Sequence, residues 1–307
     1  MATLLHEIGA RGFLLPDVVF GFPESAAQAS ALAQAVGAEY RDVDVHVFPD
    51  GEARVTVPGE AHRPAIYRSF DKPNDKLVEV LLAASVLSNA GAKEMTLVAP
   101  YLPYMRQDSA FRPGEAVSQK VVAGLLARSF DRFLSVDPHL HRVISLDAVF
   151  EKPALSLTAA ATMGRHSKDR GLDDAVVVGP DIESGPLVKA FAEAGDMPYM
   201  TALKARHGDR DVEIALPKQV NVAGRPAVIV DDVISSGATI QALAGLLKVA
   251  GAERIDVYVT HALFDAPAAQ AMTRAGVSRI FSSDSIVHES NAISLAPILA
   301  EGLRSWR

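Results

Sequence analysis

Cysteine is absent from the 307 residues, so disulfides and thiolate metal sites are excluded and the composition suits a reducing cytoplasm. Runs of lysine or arginine are also missing, and with a formal net charge of −7 the chain offers no nucleic-acid surface. A strongly anionic substrate therefore needs cations placed locally. Apolar stretches are too short and too punctuated to cross a membrane. The opening Met1-Ala-Thr-Leu-Leu-His-Glu-Ile lacks the basic region and unbroken apolar core of a secretory signal. These absences predict a cytoplasmic protein with neither nucleic-acid nor membrane partners, long enough for two domains that each bury a core.

What is present is an alternation of strand and helix patterns, which favours an α/β architecture. Val18–Phe22, Val43–Val47, Ala53–Val57, Ala65–Ser69 and Met95–Ala99 read as strands, with helices over Glu24–Val36 and Asp75–Ser88. The second half repeats the pattern, with strands at Ala175–Val178, Tyr199–Leu203, Val212–Ala215, Ala227–Val230 and Ile255–Thr260. Val277–Phe281 reads as its last strand, and helices cover Ser184–Ala194, Thr239–Ala250 and the closing Leu295–Arg304. Ala90-Gly-Ala-Lys-Glu-Met-Thr-Leu-Val-Ala99 and Ala250-Gly-Ala-Glu-Arg-Ile-Asp-Val-Tyr-Val259 share a helix end, a glycine and a strand. Either two related halves meet near Phe150–Pro153, or a common α/β element recurs by chance.

Ala227-Val-Ile-Val-Asp-Asp-Val-Ile-Ser-Ser-Gly-Ala-Thr-Ile240 carries the most chemistry. An apolar strand delivers Asp231 and Asp232 to a Ser/Gly/Thr turn that opens a helix. Backbone N–H groups and hydroxyls of Ser235, Ser236, Gly237, Ala238 and Thr239 can converge on one point, to which the helix N-terminus adds partial positive charge. A phosphate monoester fits there. The two carboxylates suit sugar hydroxyls or a hydrated Mg²⁺. A plain helix cap beside an acidic pair is the simpler alternative.

Five further groups are ambiguous in isolation. Phe48-Pro-Asp-Gly-Glu52 is either a turn between strands or an aromatic face flanked by carboxylates, suited to a nucleobase. Arg106 and Gln107 are either loop surface or a polyphosphate grip. In Asp137-Pro-His-Leu-His141 the spacing is thin for zinc, and a single histidine or carboxylate that helps to hold a nucleotide-bound Mg²⁺ fits better. Asp181 is placed as a second carboxylate at a strand end. Lys204 and Arg206 are either a solvated hairpin or cations that meet a transferring phosphoryl group.

Read in order, Phe48-Pro-Asp-Gly-Glu52, Asn74-Asp-Lys-Leu77, Pro100-Tyr-Leu-Pro-Tyr-Met-Arg-Gln-Asp108, Phe111-Arg-Pro-Gly-Glu-Ala-Val-Ser118, Asp137-Pro-His139, Gly179-Pro-Asp181, Lys204-Ala-Arg206 and Asp231 through Thr239 resemble the successive motifs of the ribose-phosphate diphosphokinases. Some are nearer the archaeal-type members. The resemblance covers nearly the whole chain. It implies two tandem phosphoribosyltransferase-like domains with mainly parallel sheets: 1–150 for ATP binding and oligomerisation, 151–307 for the ribose 5-phosphate site and catalytic loop. The implied reaction transfers the diphosphoryl group of ATP to ribose 5-phosphate, with Mg²⁺ as cofactor. Lys204 and Arg206 would be catalytic; Phe48, Asp50, Glu52, Arg106 and Gln107 would bind ATP, with the adenine site shared between subunits of a homo-oligomer. Asp231, Asp232 and Ser235–Thr239 would bind ribose 5-phosphate, and His139 and Asp181 the metal. A silent regulatory homologue and a phosphoribosyltransferase are the alternatives. Ser235 and Ala238 differ from the commonest form of the fingerprint, and Pro138, Leu140 and His141 are unusual around His139.

Overall fold

The computed structural model describes residues 14–140, 145–206, 212–217 and 221–306. The chain divides into two compact units: one runs to Leu157 and includes the segment from Leu295 onward, the other is Thr158–Ser294.

In the first unit the strands β1 (Val18–Gly21), β2 (Glu39–Asp42), β5 (Pro64–Tyr67), β6 (Thr96–Val98), β7 (Arg132–Val136) and β8 (Ala154–Leu157) form a sheet of order β2-β1-β5-β6-β7-β8, every pair parallel. β1, β5, β6 and β7 are buried throughout because helices cover both faces, which is why their residues read as apolar runs and not alternations. Helix α1 (Ala26–Val36) buries Ala29, Leu32, Ala33 and Val36, the i, i+3, i+4, i+7 stripe of a core-facing helix. Helix α2 (Pro73–Asn89) buries Leu77, Val80, Ala84 and Leu87, and α3 (Ser118–Ala127) and the short α4 (Leu146–Phe150) complete the crossovers. Strands β3 (Asp44–Val47) and β4 (Ala53–Thr56) form a separate antiparallel hairpin between β2 and β5.

The second unit repeats this plan. Its sheet is β10 (Tyr199–Thr201), β9 (Val176–Gly179), β13 (Pro226–Ile234), β14 (Arg254–Ala262), β15 (Arg279–Ser283), β16 (Asn291–Ile293), in that order and parallel. Again an antiparallel pair, β11 (Leu203–Arg206) and β12 (Val212–Ala215), sits between the second and third strands in sequence. Helices α5 (Ala160–Asp169), α6 (Gly185–Gly195), α7 (Ala238–Val249) and α8 (Ala266–Arg274) belong to this unit, while α9 (Ala296–Ser305) packs on α1 and β8 of the first. The Ala-Gly-Ala repeat holds at the level of bonds. Ala90, Gly91 and Ala92 donate to Val86, Ser88 and Leu87, and Ala250, Gly251 and Ala252 donate to Leu246, Lys248 and Leu247. Both glycines take positive φ, +94° and +88°.

Several details differ from the sequence expectations. Tyr199–Leu203 is not one strand: it breaks at Ala202, and its second part enters the β11–β12 hairpin. β13 continues four residues beyond Val230 and includes Asp231 and Asp232, since polar residues at the strand end still pair with β14. Asn291–Ile293, and not Val277–Phe281, provides the last strand; three residues are too few for a visible pattern. β7 begins at a charged residue, Arg132, which is 1% exposed and interrupts the apolar run that would have marked it.

Candidate functional site

In a doubly wound sheet, ligands bind beyond the carboxyl ends of the strands where the strand order reverses direction. In the second unit that point lies between β9 and β13, since β9 leads outward to β10 and β13 leads the other way to β14. Asp181 follows β9, while Asp231 and Asp232 lie in β13 just past its last pairing with β9. Parallel pairing of Val178 with Ile229 brings these ends side by side.

Burial drives the Asp231 carboxyl well above the ordinary aspartate range, reinforced by the negative charge of Asp232, by a hydrogen bond with the Asp232 side chain and by the charge of Asp181. Only the Asp232 N–H, which donates to Asp231 Oδ1 at 3.0 Å, works in the opposite sense. Burial of two adjacent carboxylates disfavours their charged forms, and a hydrogen-bond donor or a cation at the pair relieves that cost. Asp181 accepts from the Ser184 N–H at 3.2 Å and its carbonyl from Ser184 Oγ at 2.6 Å, which fixes it at the entrance to α6.

Beyond β13 the chain turns through exposed Ser235 and Ser236 into Gly237. Gly237 has φ +70°, and a Cβ there would lie 2.9 Å from Met272 Sδ; left-handed backbone against a packed methionine requires glycine. Gly237 is the N-cap of α7 and no side chain caps the helix. The first amides of a helix have no intrahelical acceptor, so this turn presents N–H donors together with the Ser236 and Thr239 hydroxyls to an anion.

In the first unit, Phe48-Pro-Asp-Gly-Glu52 is the tip of the β3–β4 hairpin. The Phe48 N–H donates to the Glu52 carbonyl at 2.8 Å and the Glu52 N–H to Asp50 Oδ1 at 3.1 Å. Asp50 and Glu52 are exposed; Phe48 is 39% exposed and meets His46 edge-to-face at 4.8 Å. Arg106 is exposed on the loop after β6. Gln107 Oε1 accepts from Ser118 Oγ at 3.0 Å and its carbonyl from the Gln119 N–H at 3.3 Å, which joins the loop to the start of α3. His139 is half-buried just past β7, and His141 lies outside the described residues. Lys204 and Arg206 are on β11, opposite Ile214 and Val212 of β12.

Among the described residues no three His, Asp or Glu side chains are grouped to hold a metal by themselves. The carboxylates of Asp181, Asp231 and Asp232 are hard oxygen donors, of the kind a divalent cation such as Mg²⁺ takes one or two at a time beside water and substrate phosphates. They do not fit a closed protein cage.

The matching point of the first unit is filled by protein. Phe20 pairs with Ile66 as Val178 pairs with Ile229, so Arg68, two residues past Ile66, stands where Asp231 stands. Arg68 is 4% exposed. Its guanidinium lies 3.8 Å over Phe22, donates to Glu24 at 2.9 Å and pairs with Glu79 at 2.5 Å. Lys76 bonds Asp71 and, at 2.9 Å, the Ser69 carbonyl. Three carboxylates against two cations leave no field for a phosphate. Neither Arg68 nor Glu79 stands out in the sequence; only the register of the two sheets exposes the substitution.

Comparison with known proteins agrees with this layout. The profile described as the N-terminal domain of ribose phosphate pyrophosphokinase matches residues 18–129, and that of the phosphoribosyl transferase domain matches 145–296. The ribose-phosphate pyrophosphokinase of Methanopyrus kandleri is 32% identical over 291 residues, which cover 94% of this chain and 99% of that protein. That of Halobacterium salinarum is 34% identical over 287 residues, covering 91% and 98%. The crystal structure of phosphoribosylpyrophosphate synthetase from Mycobacterium smegmatis superposes with a TM-score of 0.79 at 24% identity, over 94% of this chain and 98% of that one. The fold is therefore two phosphoribosyltransferase-type domains in tandem. No helix of the described residues is long and apolar enough to cross a membrane.

Proposed function

Because the chain belongs to the ribose-phosphate pyrophosphokinase family, we propose that it transfers the diphosphoryl group of ATP to ribose 5-phosphate, giving phosphoribosyl diphosphate and AMP. The observation that carries this reading is the switch-point site of the second unit, where a carboxylate pair on β13 stands beside the glycine-bent turn into α7.

The Ser235–Thr239 turn receives the 5-phosphate on helix amides and hydroxyls, and Asp231 and Asp232 accept hydrogen bonds from the ribose hydroxyls. A sugar hydroxyl donating to Asp231 stabilises the charged form that burial disfavours, so sugar binding lowers the raised Asp231 pKa. Phe48 stacks on adenine while Asp50 and Glu52 take its amino edge, and Arg106 and Gln107 hold the polyphosphate. O1 of the sugar attacks the β-phosphorus, the bond from that phosphorus to the α,β-bridging oxygen breaks, and the O1 proton leaves to solvent. Charge grows on the diphosphoryl oxygens, where Lys204 and Arg206 neutralise it; positioning and cations supply most of the rate. His139 in the first unit and Asp181 in the second would each be able to hold a Mg²⁺ carried by the nucleotide phosphates, which would supply further charge neutralisation.

A homo-oligomer that shares its adenine site between subunits, in the cytoplasm, completes the proposal. It is supported by the β3–β4 hairpin, a two-stranded sheet with Val47 60% exposed at the adenine-binding tip, since such hairpins are marginal in water without a partner.

The test is AMP formation from ATP, Mg²⁺ and ribose 5-phosphate by the purified chain. AMP should appear only with the sugar phosphate and fall about a hundredfold in Lys204→Ala, the effect of losing one transition-state cation. Binding of both substrates without AMP would replace the enzyme by a silent regulatory homologue. Reaction of phosphoribosyl diphosphate with a base, without ATP consumption, would make it a transferase.

A further inference from the structure

Four non-glycine residues among those described have positive φ: Tyr104, Asp137, Glu151 and Asp196. Glu151 and Asp196 end helices, where a single left-handed residue is ordinary, and Asp137 is of a residue type that tolerates the region. Tyr104 is different. It is a bulky aromatic at φ +59° in the middle of the loop between β6 and α3. That conformation costs about 1–2 kcal/mol and persists only where surrounding structure over-determines it.

The surroundings do so on both sides. Upstream, the Tyr101 N–H donates to Ser69 Oγ at 3.3 Å, and the Phe70 N–H donates to the Tyr101 carbonyl at 3.1 Å. Downstream, Met105 is 2% exposed, its carbonyl accepts from Gln119 Nε2 at 3.4 Å, and Gln107 is tied to Ser118 and Gln119. At the strained residue itself the Tyr104 hydroxyl donates to Asn74 Oδ1, in the first turn of α2. Glycine or asparagine would make the same turn with less strain, but neither would reach Asn74. The left-handed residue sets the direction in which the chain leaves for Met105 and exposed Arg106; in the right-handed region the same loop would send Arg106 elsewhere.

We infer that the Tyr104–Asn74 hydrogen bond is a latch that holds the strained turn and thereby sets Arg106 and Gln107 for a polyphosphate. Tyr104 and Asn74 are positioning residues. This rests on the reading of Arg106 and Gln107 as nucleotide ligands. The latch is solvent-exposed, with Tyr104 37% exposed, so its loss weakens the loop's preference without unfolding the unit.

Titration of a non-hydrolysable ATP analogue into the wild type, Tyr104→Phe, Asn74→Ala, the double variant and Asn74→Asp tests this. Each single loss should weaken binding about three- to tenfold, the worth of one net hydrogen bond. The double variant should be no worse than either single, and Asn74→Asp, which keeps an acceptor oxygen, should restore affinity. The KM for ATP should rise with kcat within about twofold, while ribose 5-phosphate affinity and melting temperature in the same preparations stay put. Equal nucleotide affinity in wild type and Tyr104→Phe overturns the latch, and a silent Asn74→Ala beside a defective Tyr104→Phe overturns it in favour of direct contact by Tyr104. A wild type that binds no analogue overturns instead the nucleotide reading, and the latch with it.

Discussion

Gly237 is the residue on which the turn proposed to receive the sugar phosphate depends. A methyl group there would meet Met272 and force a left-handed alanine, so Gly237→Ala should cost about 1–2 kcal/mol and weaken ribose 5-phosphate binding. Differential scanning calorimetry and titration of the sugar phosphate would check the two effects. Asp231 gives a pH signature of defined sign. Its carboxyl is raised in the native state, so from the ordinary aspartate value of about 3.9 up to the raised one the unfolded chain binds fewer protons than the native one. Stability of the ligand-free protein should therefore fall as pH rises through that window and level off above it. Asp231→Asn should flatten the fall, as thermal melts across a buffer series would reveal. At this scale the sequence was informative where side-chain chemistry is concentrated, as from Asp231 to Thr239. It was silent where backbone conformation decides: nothing in the letters marks Tyr104 as left-handed, and Arg68 acquires meaning only from its register.

At the scale of elements, buried strands and amphipathic helices were legible because both faces of each sheet are covered. Short or charged elements were not: β7 hides behind Arg132, and β16 has three residues. The ion-pair cluster that fills the first unit's switch point is an element-level feature, since it joins β1, β5 and α2. Glu79 is 7% exposed, so Glu79→Ala leaves the buried guanidinium only the more exposed Glu24 and should destabilise by about 3 kcal/mol. Replacing both partners, Arg68→Met with Glu79→Leu, should recover most of that, and denaturant unfolding of the four proteins would give the coupling directly. Affinity for ribose 5-phosphate should not change in any of them, because the site proposed for that ligand lies in the other unit.

For the whole molecule, the repeated strand order with a hairpin at the same place means that one plan has been put to two uses. The first unit has its switch point closed by protein and its hairpin tip furnished with Phe48, Asp50 and Glu52. The second has Asp181, Asp231 and Asp232 at its switch point and carries Lys204 and Arg206 on its hairpin. The weak Ala-Gly-Ala repeat was the visible trace of this arrangement, and helix ends preserve it because the glycine conformation there is hard to replace. One helix departs from the order of the chain. Leu303 of α9 is 1% exposed, Gly302 faces Leu134 and Leu157, and Arg304 donates to the Ala35 carbonyl. Leu303→Ala should lower the stability of the first unit by about 2–5 kcal/mol, read as earlier loss of protection in its amides during hydrogen exchange. The ribosome meets the same geometry in time. Helix α1 emerges hundreds of peptide bonds before the helix that covers it, and the whole of the second unit is made while the first still shows the face over α1 and β8. For that interval, at about 5–20 residues per second, the nascent chain carries an uncovered apolar surface, and release before α9 is made leaves it so.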